Sequence, residues 1–216
     1  MNNVSKRIFI TATNTDIGKT YVTSHLLRHY ASLGFKVGVI KPIETGVVDE
    51  PIDGSYLHAL VQSLNPEMVE LTVDDIVPLQ FRLPAAPYCA NSALPIDLSV
   101  VERAIEKIEP LCDILIIEGA GGLYVPIDKE TMIIDLIKRF DAKALLVSHC
   151  RLGCINDTIL SIKALQERDL NFIWTLNCHG DDNSFQTVSE PYFKDRYPDH
   201  TLFNRDIEKI ADELLL

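Results

Sequence analysis

Residues 11–20 read TATNTDIGKT and end in Gly18-Lys19-Thr20. A lysine and a hydroxyl closing a glycine turn, between an apolar run and a helical pattern, suit the binding of phosphates. Backbone N–H groups and a helix dipole favour phosphate oxygens, the lysine reaches the β- and γ-phosphates, and the hydroxyl ligates Mg²⁺. The common form of such a P-loop carries a glycine five residues before Gly18, where Thr13 stands. Ala12 and Thr13 tolerate positive φ poorly, so the start of the loop is expected to be less tightly wound or to keep negative φ. An ordinary capped turn is the competing reading of the loop alone.

Further chemistry-bearing residues lie downstream. ILIIEGAGG (114–122) is a buried run ending in an acid, Glu118, which suits Mg²⁺ beside a phosphate loop; Gly119, Gly121 and Gly122 let backbone N–H groups approach an anion. KPIETG (41–46) would bring Lys41 to the edge where Lys19 emerges, able to stabilise a transferring phosphoryl group, with Thr45 turned inward. A solvated surface lysine is the plainer alternative. RLGCIND (151–157) opens a helix whose N–H groups would bind an anion, unless Asn156 is simply its N-cap. The amide of Asn177 can pair with a purine edge.

The elements that must position these groups follow from the pattern. Runs at 8–13, 37–43, 114–118, 144–149 and 172–177 are short, rich in Ile and Val and apolar on both faces, as buried parallel strands are. Helical patterns cover 20–33 (stopped by Gly34), 98–109 (Asp97 as N-cap), 131–140, 156–168 and 205–215. This alternation implies an α/β fold with a doubly wound, mainly parallel sheet, a P-loop NTPase-like three-layer sandwich, in one domain over 1–216. In such sheets ligands sit beyond the carboxyl ends of the strands. TATNTDIGKT, KPIETG, EGAGG, SHCRLGCIND and NCHGDD all fall there.

Composition narrows the function classes. The 216 residues carry a formal net charge of −11, without a Lys/Arg cluster, which speaks against nucleic acid or an anionic membrane as partner. No stretch approaches the ~20 apolar residues that span a bilayer, and the N-terminus has too short an apolar run for a secretory signal, so a cytoplasmic protein is expected. The five cysteines, Cys89, Cys112, Cys150, Cys154 and Cys178, form no C-x-x-C and read as reduced, mostly buried thiols. A metal site from Cys150, Cys154, His149 and His179 is the minor alternative.

Taken in order and spacing, TATNTDIGKT, KPIETG, EGAGG and RLGCIND resemble the dethiobiotin synthetases over about residues 6 to 180. The resemblance implies closure of the ureido ring of dethiobiotin from 7,8-diaminopelargonic acid, CO2 and MgATP. The route runs through a carbamate and a carbamic–phosphoric anhydride and needs no protein nucleophile. It implies that Lys19 and Lys41 hold phosphate and carbamate charge, and that Thr15, Asp16, Ile17, Gly18, Lys19 and Thr20 bind the triphosphate. Gly119, Ala120 and Gly121 lie beside it. Thr20, Asp53 and Glu118 would bind Mg²⁺, with Asp49 the substitute for Asp53. Thr45 and Gly122 would touch the diamine. Gly153, Cys154, Ile155 and Asn156 would hold the tail carboxylate of a diamine in the other subunit of a homodimer. Asn177, followed here by Cys178 where the family often has Asp, matches the base-binding position.

The chain departs from the family pattern at Ala12, at Cys178 and in YPDHTLFNRD, which replaces a proline-rich loop near the base. ATP is therefore expected to be held more weakly or chosen less strictly. Phe81 and Tyr88, in PLQFRLPAAPYCA, either line the diamine's apolar chain or sit in the core under a loop. Two rivals remain. An amidating synthetase of the cobyrinic acid type would want a glutaminase Cys–His pair, and a partitioning-type ATPase switch would want an extra lysine early in the P-loop; neither feature occurs.

Overall fold

A computed structural model of the chain describes residues 5–178 and 184–216. His179 and the end of NCHGDD lie outside them. The elements run in the order β1 (Lys6–Ala12), α1 (Lys19–Ser32), β2 (Val37–Ile40), β3 (Ile43–Thr45), α2 (Ile52–Leu64), α3 (Val73–Ile76), β4 (Leu79–Phe81), α4 (Pro87–Ala90) and α5 (Ser99–Ile108). They continue with β5 (Ile114–Glu118), α6 (Ile133–Arg139), β6 (Lys143–His149), α7 (Cys154–Glu167), β7 (Phe172–Asn177), α8 (Phe185–Val188), α9 (Glu190–Arg196) and α10 (Phe203–Leu215).

Five strands form one parallel sheet in the order β2-β5-β1-β6-β7. Every residue of β5 is buried, because an ILIIE run with helices on both sides has no solvent face. β1 is central. The chain lays β2 and β5 on one side of it and then crosses to β6 and β7 on the other. The register sets Ile10 beside Glu118 and Ala12 beside Val147, so the loop after β1 emerges between the ends of β5 and β6. That reversal of winding is where a doubly wound sheet opens its binding crevice. A main apolar core holds Phe9, Leu26, Ile116, Leu145 and Phe203, and a smaller cluster around Phe193 lies beside β7.

Several expectations shift. The apolar run 37–43 is not one strand. Pro42 lacks the N–H that would continue it; Ile40 ends β2, and Ile43–Thr45 pairs instead with β4 in a separate two-stranded parallel sheet. α2 was not anticipated at all. The helix beginning at Cys154 has Gly153, not Asn156, at its N-cap. Asp97 Oδ1 accepts the Ser99 N–H (3.0 Å), but the N-cap of the helix that starts at Ser99 is Leu98, not Asp97.

The reduced-thiol reading is corrected for two of the five cysteines. Cys150 and Cys178 form a disulfide, while Cys112 and Cys154 are buried free thiols and Cys89 is exposed. The cause is register. His149 pairs with Asn177, so the residues that follow them stand opposite each other with Cα atoms 5.0 Å apart, inside the span a disulfide bridges.

Candidate active site

Residues 13–18 leave β1 and turn into α1. Ala12 and Thr13 keep negative φ, as expected, and the left-handed conformations fall on Asp16 (φ 58°) and Gly18 (φ 91°). Asp is among the residues that accept this region, and glycine does so without cost. Gly18 is required for a second reason: a Cβ there would lie 2.4 Å from Asn177 Nδ2. That amide donates to the Ile17 carbonyl at 2.9 Å and so ties the end of β7 to the loop.

Lys19, the first residue of α1, is buried to 8% exposure, with Nζ 3.5 Å from the Asn14 carbonyl. Burial lowers its pKa to about 8, against the pull of nearby Glu118. Phosphate oxygens would favour its charged form, since an opposite charge within ~4–6 Å does so.

Lys41 is not a surface lysine. It is 5% exposed, and its Nζ donates to Glu118 Oε1 at 2.7 Å and to Asp53 Oδ2 at 2.8 Å. Burial disfavours its charge, but the two carboxylates overcome that and hold Lys41 well above the ordinary lysine value. Thr20 donates its hydroxyl to the same Glu118 Oε1 at 2.8 Å. Glu118 is fully buried at the end of β5, and its Oε2 has no partner among the described residues.

A buried carboxylate oxygen left unpaired calls for a missing partner. Thr20, Glu118 and Asp53 present a hydroxyl and two carboxylates, the hard oxygen donors that Mg²⁺ takes while keeping water and phosphate oxygens in its other positions. The residues present therefore fit Mg²⁺. Asp49 is exposed and does not line the cleft, so geometry favours Asp53.

The cleft above these groups has a volume of about 390 Å³. Thr15, Asp16, Gly18, Lys19, Thr20, Lys41, Thr45, Asp53, Ala120 and Gly121 all line it, and Glu118 lies buried behind Lys41 and Thr20, hydrogen-bonded to both. Ile17 is buried beneath the loop, and Gly119 and Gly122 pack against β1 and Thr13. Phe81 and Tyr88 do not line this cleft. Phe81 packs on the main core, and Tyr88 donates its N–H to the Pro126 carbonyl. Gly153, Cys154, Ile155 and Asn156 sit at the start of α7, outside the cleft, with Cys154 buried and Asn156 exposed. YPDHTLFNRD runs beside β7, where Leu202 bridges Leu176 before α10 begins.

Ile43, Glu44, Gly46 and Ile52 also line the cleft and were missed by sequence reasoning, and Glu44 is the charged one. Its side chain could be aimed only once β3 was known to pair with β4, and nothing in KPIETG announces that pairing.

A parallel sheet with a phosphate loop after its central strand and an acid at the end of the neighbouring strand defines a P-loop nucleotide-binding protein. Solved structures of the same fold agree: a plasmid partition protein from Borrelia burgdorferi (12% identity, 98% of this chain and 96% of that one, TM-score 0.55) and the MinD cell division protein of Aquifex aeolicus (18%, 97% and 87%, 0.51). The profile of a family described as AAA domain matches residues 6–191. Among curated relatives, the ATP-dependent dethiobiotin synthetase of Sulfurovum sp. is 42% identical over 207 residues, spanning 96% of this chain and 99% of that one. The enzyme of the same name from Wolinella succinogenes is 35% identical over 97% and 98%. The chain belongs to the ATP-dependent dethiobiotin synthetase family. It is an ATP-dependent ligase that forms carbon–nitrogen bonds in biotin synthesis.

Proposed function

We propose that the chain, as a single ligase domain, carboxylates and cyclises 7,8-diaminopelargonic acid with CO2 to dethiobiotin, using MgATP. The observation that carries this reading is Lys41, a buried cation at the end of the cleft where Lys19, Thr20 and Glu118 converge.

One amine of the diamine adds to CO2, giving a carbamate and a proton. A carbamate oxygen attacks the γ-phosphorus, and the bond to the β-phosphate oxygen breaks, releasing ADP. The second amine attacks the carbamoyl carbon of the mixed anhydride. Phosphate leaves with the bonding pair, a proton is lost, and the ureido ring is closed.

The loop N–H groups of residues 15–20 bind and orient the triphosphate, and Lys19 holds its β- and γ-oxygens. Lys41 neutralises carbamate and transferring phosphoryl charge from a buried position, so its charge counts for more than it would in solvent. Thr20, Glu118 and Asp53 are the residues that would hold Mg²⁺. A bound Mg²⁺ would supply neutralisation of the triphosphate's negative charge. Thr45 and Gly122 contact the diamine, Asn177 and Cys178 lie at the base, and Gly119, Ala120 and Gly121 border the anion. The start of α7, Gly153 to Asn156, holds the tail carboxylate of a diamine in the other protomer of a homodimer. All substrates are small molecules, and the enzyme works in the cytoplasm without nucleic acid or membrane partners. Among the described residues no helix is long and apolar enough to cross a membrane.

The test is turnover with the diamine, bicarbonate, Mg²⁺ and ATP, scored for dethiobiotin by mass spectrometry. Wild type yields dethiobiotin, and Lys41→Ala loses 10²-fold or more, roughly what one charge-stabilising group is worth. ATP hydrolysis without ring closure would overturn the reading.

A further inference from the structure

Glu44 is a buried carboxylate that the proposed reaction leaves without a task. Its Oε1 accepts the backbone N–H of Asp53 at 3.1 Å, and its Oε2 accepts that of Gly54 at 2.9 Å. These are the second and third residues of α2. The first turn of a helix leaves its N–H groups without intrahelical acceptors, and here the N-cap is Pro51, whose side chain accepts nothing. Glu44 supplies both acceptors from β3, a separate element. The negative charge also suits the positive end of the helix dipole.

The approach is close enough to constrain sequence. A Cβ at position 54 would stand 2.0 Å from Val77 Cγ2 and 3.2 Å from Glu44 Oε2, so a side chain there would have to displace Val77 and would crowd the carboxylate. Asp53 is the residue held in this way. Its side chain is 47% exposed, and its carboxylate reaches Lys41 Nζ at 2.8 Å. Glu44 fixes the backbone from which the Asp53 side chain starts, and the pairing with Lys41 then holds its carboxylate.

We infer that Glu44 is a positioning residue: by capping the start of α2 from β3, it sets Asp53 at the cation-binding end of the cleft. The inference rests on the reading of Asp53 as a Mg²⁺ ligand. Groups that orient a metal ligand commonly carry about 10–100-fold in metal affinity.

The test measures Mn²⁺ binding by the loss of its free EPR signal, with a non-hydrolysable ATP analogue present. It compares wild type, Glu44→Gln, Glu44→Asp, Asp53→Ala and the double variant Glu44→Gln/Asp53→Ala. Hydrogen exchange at the amides of residues 53 and 54 is followed in parallel. Glu44→Gln keeps the shape but turns an amide NH2 toward one donor. Mn²⁺ affinity is expected to fall about tenfold in this variant, the two amides to exchange faster, and Glu44→Asp to lie between it and wild type. In the Asp53→Ala background, Glu44→Gln should cost no more than a further twofold. Wild-type Mn²⁺ affinity in Glu44→Gln despite faster exchange, or a full additional loss in the double variant, would overturn the inference while leaving Asp53 a ligand. Unchanged affinity in Asp53→Ala would overturn the ligand reading itself and with it the role of Glu44.

Discussion

At the scale of single residues the site is a set of short contacts that tolerate little change. Gly18 combines a left-handed backbone (φ 91°) with a side-chain position already taken by Asn177 Nδ2. An alanine there would have to shift the loop, the asparagine or both, at a cost of roughly 1–2 kcal/mol for the backbone alone. Gly18→Ala is accordingly expected to weaken ATP about tenfold or more, read by calorimetric titration; unchanged affinity would show that the loop relaxes freely. Lys19, Thr20 and Glu118 were legible in the sequence because a lysine and hydroxyl after a glycine turn, with an acid at a strand end, have few other uses in that order. Lys41 was legible as a residue and not as an environment. Its burial depends on Glu118 and Asp53 closing around it, and these lie 77 and 12 positions away in the chain.

At the scale of elements, the strands were read from their apolar runs, and β5 and β6 sit where the pattern put them. α2 was hidden because Pro51 and Gly54 are loop signals when read locally. The helix that forms across them is held by Glu44 from another strand, a contact no window of sequence contains. The β6–β7 register had a consequence equally invisible in cysteine spacing, the Cys150–Cys178 disulfide. Denatured, unreduced protein is therefore expected to show three free thiols by Ellman titration, and five would contradict the pairing. Closing a loop over a sequence separation of 28 should stabilise by about 3–4 kcal/mol on the chain-entropy account, so Cys178→Ser should melt markedly lower than the oxidised wild type.

At the scale of the whole molecule, the sheet must hold five strand ends in line, and an ion pair between Arg7 and Glu109 ties its opposite end. Arg7, at the start of β1, donates from Nε to Glu109 Oε1 (2.6 Å), from Nη2 to Glu109 Oε2 (2.8 Å) and from Nη1 to the Phe140 carbonyl (2.9 Å). The hydrogen bonds from Arg7 hold the Glu109 carboxyl below its usual range, against its partial burial. A depressed carboxyl pKa stabilises the fold above the unfolded value of about 4.3, and that stability is lost as pH falls through the folded value. Glu109→Gln should thus cost about 1–2 kcal/mol at pH 7, seen as a lower Tm, and the deficit should shrink toward pH 3; a deficit independent of pH would mean that packing, not charge, is lost.

The central claim, that this cleft passes a phosphoryl group to a carbamate, is tested most directly by the fate of oxygen. Turnover is started with ¹⁸O-labelled bicarbonate and stopped before the label exchanges with water, and the released phosphate is weighed by mass spectrometry. One labelled oxygen in each phosphate, matched one for one with dethiobiotin, is the expected result. Dethiobiotin accompanied by unlabelled phosphate, or unlabelled phosphate with no dethiobiotin, would contradict the account.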